Sequence, residues 1–283
     1  MLFPMKFTSI LVWLCSLSCV LKSQEVSIQA VSCLVTAAPY MEIVQKIGGE
    51  AVEVRVIVPQ GVDFHNFEPT IQQITELEQA KIWFCMGEPF EMKIQKFLKD
   101  QNSQMQFVDL RDNLPLIQEK DPQHVGGSDP HIWMSPRLMM IQAKTIATAL
   151  IRILPEKKAK IENNLTALID SLEELDHKIA AIIEKKHTHF LVTQHPAYGY
   201  FCREFHIEQI AIEQQGKEPP PRVLIDLIER LKTLQIKTIF ITNPTSAKGA
   251  AVVAEAIHAH LAVHNPYITD YFQMMTSLAE ELP

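Results

Sequence analysis

The chain has 283 residues, 47% of them hydrophobic, which is enough for two ordinary domains or one large one with well-filled cores. Its 26 Lys and Arg residues against 33 Asp and Glu residues give a formal net charge of -7. The sequence contains no basic cluster of the kind that neutralises phosphates, so we expect no nucleic-acid partner, whereas a mildly acidic surface suits cations.

The N-terminal stretch MLFPMKFTSILVWLCSLSCVLKS predicts a secretory signal peptide over residues 1–23. It combines an early lysine with an apolar run from Phe7 to about Leu21 and small residues near its end. The run is shorter than the roughly 20 residues of a membrane-spanning helix, which argues against an anchor. The sequence SLSC also resembles a bacterial lipoprotein cleavage box ending at Cys19, although Ser16 stands where leucine is usual. We therefore expect a periplasmic protein, with lipid attachment at Cys19 as an alternative.

Strand-like and helix-like segments alternate on both sides of a long central helix. Runs such as VEVRVIV, KIWFCM, HFLVT and IKTIFIT read as strands, and the segments between them have helical periodicity. This alternation predicts an α/β fold of two lobes, each with a mainly parallel sheet flanked by helices. We assign the N-terminal lobe to residues 24–154 and the C-terminal lobe to residues 187–283.

Residues 155–186 predict one long amphipathic helix that joins the two lobes. The segment has no glycine, and its only proline is Pro155 at the start. Apolar residues recur at intervals of three and four, as on one face of a helix; they are Ile161, Leu165, Leu168, Leu172, Leu175, Ile179 and Ile182. The helix would extend about 45 to 50 Å. A connecting spine is the favoured interpretation, and a coiled coil that dimerises the chain is the alternative.

The cysteines indicate neither a disulfide framework nor a soft metal site. Cys15 and Cys19 lie in the signal region, and the remaining three are far apart with no CxxC pair. Cys33 and Cys85 fall within strand-like runs, where a buried small hydrophobic residue is the expected role.

Three of the 11 histidines fall where a ligand site is expected in a parallel sheet, in loops near the carboxyl ends of strands. They are His65 in PQGVDFHNFEPT, His131 in SDPHIWMSP and His195 in LVTQHPAYGYF. Three imidazoles can form most of a tetrahedral shell for zinc or a neighbouring transition metal. Each histidine also has a structural interpretation: His65 could cap the next helix, His131 could cap or pack, and His195 could hydrogen-bond a backbone carbonyl.

The other histidines are weaker candidates. His124 lies in the loop before the second motif and could catch a metal transiently. Six others fit solvated or packed positions in or beside helices: His177, His187, His189, His206, His258 and His260.

The ordered motifs GVDFHNFEPT, SDPHIWMSP, THFLVTQHPAYGYF, EQQGKEPPP and IKTIFITNPTSAKGAAVVAEAIHAHLAV resemble those of the cluster A-I solute-binding proteins of metal ABC importers, especially the zinc-binding members. The resemblance covers nearly all of the chain after the signal peptide. It implies two α/β lobes, one rigid linking helix and a metal in the interlobe cleft. The family's first three ligands then map onto His65, His131 and His195.

The sequence departs from this family at three points. The first motif reads DFH instead of DPH, so Phe64 replaces a proline that stiffens the loop. The usual fourth ligand, an aspartate in a DP pair, is replaced by Asn265 in NP, which leaves Asn265, Asp270 or water as candidates. The histidine-rich loop of many zinc members is reduced to QHVGG.

We therefore expect a monomeric extracytoplasmic protein that captures a divalent metal and delivers it to an ABC transporter permease. Zn²⁺ is the favoured metal, with Mn²⁺ or Fe²⁺ as alternatives.

The protein is not expected to be an enzyme. A zinc-dependent hydrolase with Glu68 as general base is the competing hypothesis, because three histidines and a water also form catalytic zinc sites. A surface adhesin is a third class, but no dedicated binding patch supports it.

Overall fold

The structure, a computed structural model, describes residues 30–59, 62, 65, 67–118, 127–213, 217 and 219–283. The predicted signal peptide with Cys19, together with Phe64 and His124, therefore lies outside the described residues. The strands of the described part are β1 (Val31–Val35), β2 (Val52–Val56), β3 (Ile82–Cys85), β4 (Gln106–Asp109), β5 (Phe190–Thr193), β6 (Glu208–Ala211), β7 (Thr238–Ile241) and β8 (His260–Val263). The helices are α1 (Pro39–Gly48), α2 (Ile71–Leu77), α3 (Pro89–Gln101), α4 (Pro136–Ile153), α5 (Lys158–Lys186), α6 (Gly199–Glu204), α7 (Pro221–Thr233), α8 (Lys248–Ile257) and α9 (Tyr271–Glu281).

The strands form two sheets of four, and every strand pair is parallel. The order is β2-β1-β3-β4 in the first sheet and β6-β5-β7-β8 in the second, so both sheets have the same connectivity. The predicted α/β fold with two mainly parallel sheets is thereby confirmed. In each sheet the strand order reverses beside the first strand of the lobe, and ligands of open parallel sheets bind at such a switch point, outside the carboxyl ends of the strands.

The predicted linking helix is confirmed as α5, which has 29 residues and follows a 3-10 turn over Pro155–Lys157. Its apolar stripe is buried against α1, α4 and α9 of the same chain. The buried residues of the helix are Ile161, Leu168, Leu172, Leu175, Asp176, Ile179 and Ile183. Because the stripe is covered within one chain, it has no exposed apolar seam for a coiled coil. Near the helix end, Ile183 is buried instead of the predicted Ile182, which is partly exposed.

The last helix, α9, packs against α1 and α5. Its residues Met274 and Met275 are fully buried in the same hydrophobic core as Ile43 of α1. The backbone N–H of Tyr271 also donates to Glu42 Oε2 at 2.7 Å. A second, smaller core lies within the C-terminal half, between its sheet and α7 and α8. In the described part of the chain, no helix has the length and apolar character needed to cross a membrane.

Candidate metal centre

The three histidines singled out from the sequence lie together. The ring centroids of His65, His131 and His195 form a nearly equilateral triangle with sides of 5.3, 5.2 and 5.3 Å. One nitrogen from each ring falls within 4.8 Å of the others, and Nε2 of His65 is 3.3 Å from Nε2 of His195. His131 is buried, and the other two are partly exposed, so solvent reaches the cluster at His65 and His195.

Each histidine follows a strand of one of the two sheets. His65 comes after β2, His195 is two residues after the end of β5, and His131 lies between β4 and α4 at the start of a 3-10 turn. The next residues after His131 are fully buried, and Ser135 caps α4 by accepting the backbone N–H of Leu138. The turn therefore fixes the His131 backbone. The three imidazoles come from segments that follow strands of both sheets.

A carboxylate lies behind each imidazole. The Nδ1 atoms of His65, His131 and His195 lie 3.4, 2.8 and 3.1 Å from Glu88 Oε1, Asp129 Oδ1 and Glu213 Oε2. A carboxylate at Nδ1 favours the tautomer that carries its proton there, which leaves Nε2 unprotonated, the form that binds a metal. The three carboxylates also bring negative charge close to the cluster without occupying the ligand positions.

The loop after β3 holds Glu88 in place. Gly87 has a φ of 88°, and a β-carbon there would lie 1.9 Å from the Arg111 guanidinium, so the position requires glycine. The buried Glu91 carboxylate accepts the backbone N–H groups of Met86, Gly87 and Glu88 at 2.6 to 3.1 Å. Burial raises the pKa of Glu91 to about 7, and the backbone hydrogen bonds lower it in part. The loop backbone is therefore fixed, and the Glu88 side chain is buried facing His65.

The segment that carries Asp129 is held by the C-terminal half of the molecule. The Tyr200 hydroxyl of α6 donates to the Asp129 carbonyl at 2.8 Å. Gly199 lies beside the Asp129 side chain, and a β-carbon on it would be 2.7 Å from Asp129 Oδ2. The position of the carboxylate behind His131 thus depends on α6.

The turn after β8 contains the candidates for a fourth ligand. The Asn265 side-chain oxygen accepts the backbone N–H of Tyr267 at 2.9 Å. Asp270 is exposed, and its side chain caps α9 by accepting the backbone N–H of Gln273 at 2.9 Å. Tyr267, which the sequence analysis did not consider, has its hydroxyl oxygen 3.2 Å from Nε2 of His131.

Several histidines outside the cluster have conformational roles. His187, His206 and His258 adopt positive φ angles of 54°, 57° and 55°, and each lies just beyond the end of a helix. This left-handed conformation is enriched in histidine among non-glycine residues and terminates a helix. His264, which the sequence analysis passed over, is buried between the Tyr198 hydroxyl and the Met274 carbonyl, and burial lowers its pKa.

The hydrolase hypothesis is not supported. Glu68, its candidate base, has an 82% exposed side chain and lies 3.7 Å from the Lys93 ammonium. The carboxylate that faces His65 belongs instead to Glu88. Glu68 therefore lacks the position behind an imidazole that Glu88, Asp129 and Glu213 share.

Sequence reasoning missed the roles of these three carboxylates, although the signal for them was present. Glu88 follows β3, Glu213 follows β6, and Asp129 is two residues before His131. The strand-end criterion that selected the histidines would have selected these acidic residues as well.

Comparison with known proteins gives consistent matches over most of the chain. The family model of ZnuA, the periplasmic component A of the zinc-uptake complex, matches residues 33–283. A Chlamydia muridarum protein provisionally named a metal-binding protein is 28% identical over 248 residues, which are 87% of this chain and 88% of that protein. The high-affinity zinc uptake system protein ZnuA of Bacillus subtilis is 26% identical, covering 81% of this chain and 76% of the relative. A crystal structure of ZnuA superposes with a TM-score of 0.84 at 30% identity, covering 89% of this chain and 97% of that one.

Proposed function

The chain belongs to the family of periplasmic zinc-uptake component A proteins, and from that membership we propose that it binds Zn²⁺ through His65, His131 and His195. Proteins of this family are extracytoplasmic metal-binding components of ABC importers and are not enzymes. The metal is the transported cargo, so the site must both hold the ion and release it.

The observation that carries the proposal is the pairing of each imidazole with a carboxylate. Metal-binding histidines characteristically direct the second ring nitrogen to a carboxylate, a carbonyl or water, which fixes the ring and raises the basicity of the ligand atom. His131 and His195 are hydrogen-bonded to their carboxylates in this way, at 2.8 and 3.1 Å, and Glu88 Oε1 lies 3.4 Å from Nδ1 of His65, at ion-pair distance. A single histidine–carboxylate pair can have a purely structural role. Three such pairs whose imidazoles converge are the arrangement expected around a shared ion.

Zinc is favoured because the donor atoms are imidazole nitrogens. Imidazole suits zinc and its neighbours, whereas Mn²⁺ is better matched by carboxylate and water oxygens. For a given site, affinity also rises from Mn²⁺ through Fe²⁺ to the later metals of the series, so Zn²⁺ should bind more tightly than either.

We further propose how the lobes act in capture and release. Residues 24–154 supply His65 and His131, and residues 187–283 supply His195, so separation of the two lobes would dismantle the site. The buried stripe of α5 supports small tilts of the lobes instead of wide hinge closure, and it also supports a monomer that meets the permease as a single chain.

Calorimetric zinc titration of metal-stripped residues 24–283 tests the assignment. We expect one Zn²⁺ per chain, and a loss of more than about 100-fold in affinity for His65→Ala, His131→Ala or His195→Ala, since even residues behind the ligands cost 10 to 100-fold. His177→Ala is the matched control, because His177 is exposed on α5. Affinity within twofold of wild type for a cluster variant would contradict its assignment. Parallel titrations with Mn²⁺ and Fe²⁺ test the metal preference.

Lipid attachment at Cys19 is a separate alternative to a freely soluble mature form. The mass of the protein recovered from an expressing bacterium distinguishes the two, because a lipid-modified N-terminus begins at Cys19 and carries acyl chains.

A further inference from the structure

We infer that the hydroxyl oxygen of Tyr267 is the fourth metal ligand, completing a site of three imidazole nitrogens and one oxygen. The inference rests on the proposed three-histidine site and supplies the ligand for which the sequence offered only Asn265, Asp270 or water. Tyr267 lies two residues after Asn265, in the turn between β8 and α9.

Two distances between the polar atoms match the spacing of ligand atoms around a tetrahedral ion. With bonds of about 2.0–2.1 Å to zinc, two ligand atoms of a tetrahedron are about 3.3–3.4 Å apart. The Nε2 atoms of His65 and His195 are 3.3 Å apart, and Nε2 of His131 is 3.2 Å from the Tyr267 oxygen. The phenol oxygen thus has the same spacing to a histidine nitrogen that two of the histidines have to each other.

The orientation of the His131 ring places its metal-binding nitrogen next to the Tyr267 hydroxyl. Its Nδ1 faces Asp129 Oδ1 at 2.8 Å, so Nε2 is the ligand atom, and Nε2 is also the atom that Tyr267 approaches. In the metal-free protein the phenol can donate its proton to this nitrogen. A cation held by the phenolate oxygen and by Nε2 would replace this hydrogen bond, and the phenol proton would pass to solvent.

The surrounding contacts fix the Tyr267 ring in this position. The Trp133 indole N–H donates to the Pro266 carbonyl at 2.9 Å, which ties the turn to the segment that carries His131. The Tyr267 ring lies 5.7 Å from the Trp133 ring and 6.3 Å from the His131 ring, measured between centroids. An oxygen held in advance by such contacts loses little conformational freedom when it binds an ion.

The other two side chains considered for the fourth position are engaged elsewhere. The Asn265 oxygen accepts the Tyr267 backbone N–H, so this residue positions the turn. Asp270 is exposed and caps α9. Substitution of the family's aspartate by Asn265 therefore leaves the site with an oxygen donor from the same turn.

The test is a comparison of Tyr267→Phe with wild type in metal-stripped residues 24–283, titrated with Zn²⁺ alone and crystallised with it. We expect Tyr267→Phe to lower zinc affinity at least about tenfold, since residues behind the ligands already have effects of that size. In the zinc-loaded wild-type crystal, the metal should lie about 2.0–2.2 Å from the Tyr267 oxygen, a normal zinc–oxygen bond. Tyr271→Phe is the matched control, because the Tyr271 hydroxyl is buried with no hydrogen-bond partner among the described residues.

The outcomes separate this inference from the proposal on which it rests. Zinc bound by the three histidines with a water as fourth ligand, together with unchanged affinity of Tyr267→Phe, would overturn the role of Tyr267 and leave the three-histidine site intact. Failure of the wild type to bind zinc at the histidines would overturn both. An equal loss of zinc affinity in Tyr271→Phe and Tyr267→Phe would mean that removing any nearby tyrosine hydroxyl disturbs the fold around the site. That result would also refute the role of Tyr267 as a ligand.

Discussion

A single oxygen of Asp129, Oδ1, lies 2.8 Å from both the backbone nitrogen and the Nδ1 atom of His131. The carboxylate thus holds both the backbone and the imidazole ring of His131. It determines which ring nitrogen faces the other histidines. A motif of three consecutive residues contains both the proposed metal ligand and the group that orients it.

This contact predicts that Asp129→Asn weakens zinc binding without unfolding the protein. The amide lacks the negative charge that stabilises the Nδ1–H of His131, and outer-shell changes of this kind typically cost 10 to 100-fold in metal affinity. Calorimetric titration with Zn²⁺ measures the change, and Asp226→Asn, at an exposed position on α7, is the control. Equal affinities for the two variants would show that Asp129 does not orient the ligand.

Gly199→Ala is predicted to impair the same site by a steric route. The new β-carbon would lie 2.7 Å from Asp129 Oδ2, closer than two such atoms approach, so the carboxylate must move away from its place behind His131. Helix propensity alone would favour alanine in α6, so a loss of zinc affinity would reflect the collision. Gly249→Ala in the first turn of α8 provides the comparison, and circular dichroism verifies that both variants fold. Unaltered zinc affinity in Gly199→Ala would mean that Asp129 can shift without cost.

Glu204 is predicted to make stability depend on pH. Its carboxyl is 6% exposed, accepts the Ser135 hydroxyl and faces Asp176 and Arg137, and burial raises its pKa to about 8. The unfolded chain releases this proton near the ordinary glutamate pKa of about 4.3, so between that pH and about 8 the folded protein holds a proton that the unfolded chain lacks. The free energy of unfolding therefore falls as pH rises through this window, by at most about 1.4 kcal/mol per pH unit.

Urea denaturation at pH 5 and pH 8 tests this sign. Glu204→Gln cannot ionise, so its stability should fall less between the two pH values than that of the wild type. Glu91 contributes in the same direction up to about pH 7 in both proteins, so the difference between wild type and variant isolates Glu204. An identical pH dependence in the two proteins would contradict the prediction.

The three cysteines beyond the predicted signal peptide should be unreactive in the folded protein. Cys33, Cys85 and Cys202 are at most 3% exposed, and burial raises the pKa of each thiol. Thiolate is the reactive form, so both access and ionisation are suppressed. A chromogenic thiol reagent should label none of them rapidly in native residues 24–283 and all three in urea. Rapid labelling of a native thiol would reveal local opening around that residue.

The sequence predicted those parts of the fold that depend on local periodicity. Alternating strands and helices, the long helix and the convergence of His65, His131 and His195 follow from patterns over a few residues or from the general geometry of parallel sheets. Ile183 replaced Ile182 in the buried stripe because, near the end of a long helix, the packing of its neighbours selects between adjacent apolar residues.

The parts that were missed depend on contacts between distant segments. Tyr267 approaches His131 across 136 positions in the sequence, and Tyr200 holds Asp129 across 71. No local pattern encodes such a pairing, because it forms only when segments far apart in the sequence have packed together. Glu88 and Glu213 could have been predicted from the sequence, since they lie three and two residues after the ends of β3 and β6.

The return of α9 to the N-terminal half has a consequence for how the molecule is made. The backbone of Tyr271 bonds to Glu42 across 229 positions, and Met274 and Met275 fill a core whose first members are in β1. During synthesis the main core therefore lacks Met274 and Met275 until α9 has left the ribosome. Contacts so distant in sequence form slowly, because the connecting chain must first be ordered. The main core is therefore complete only after α9 has packed against α1 and α5.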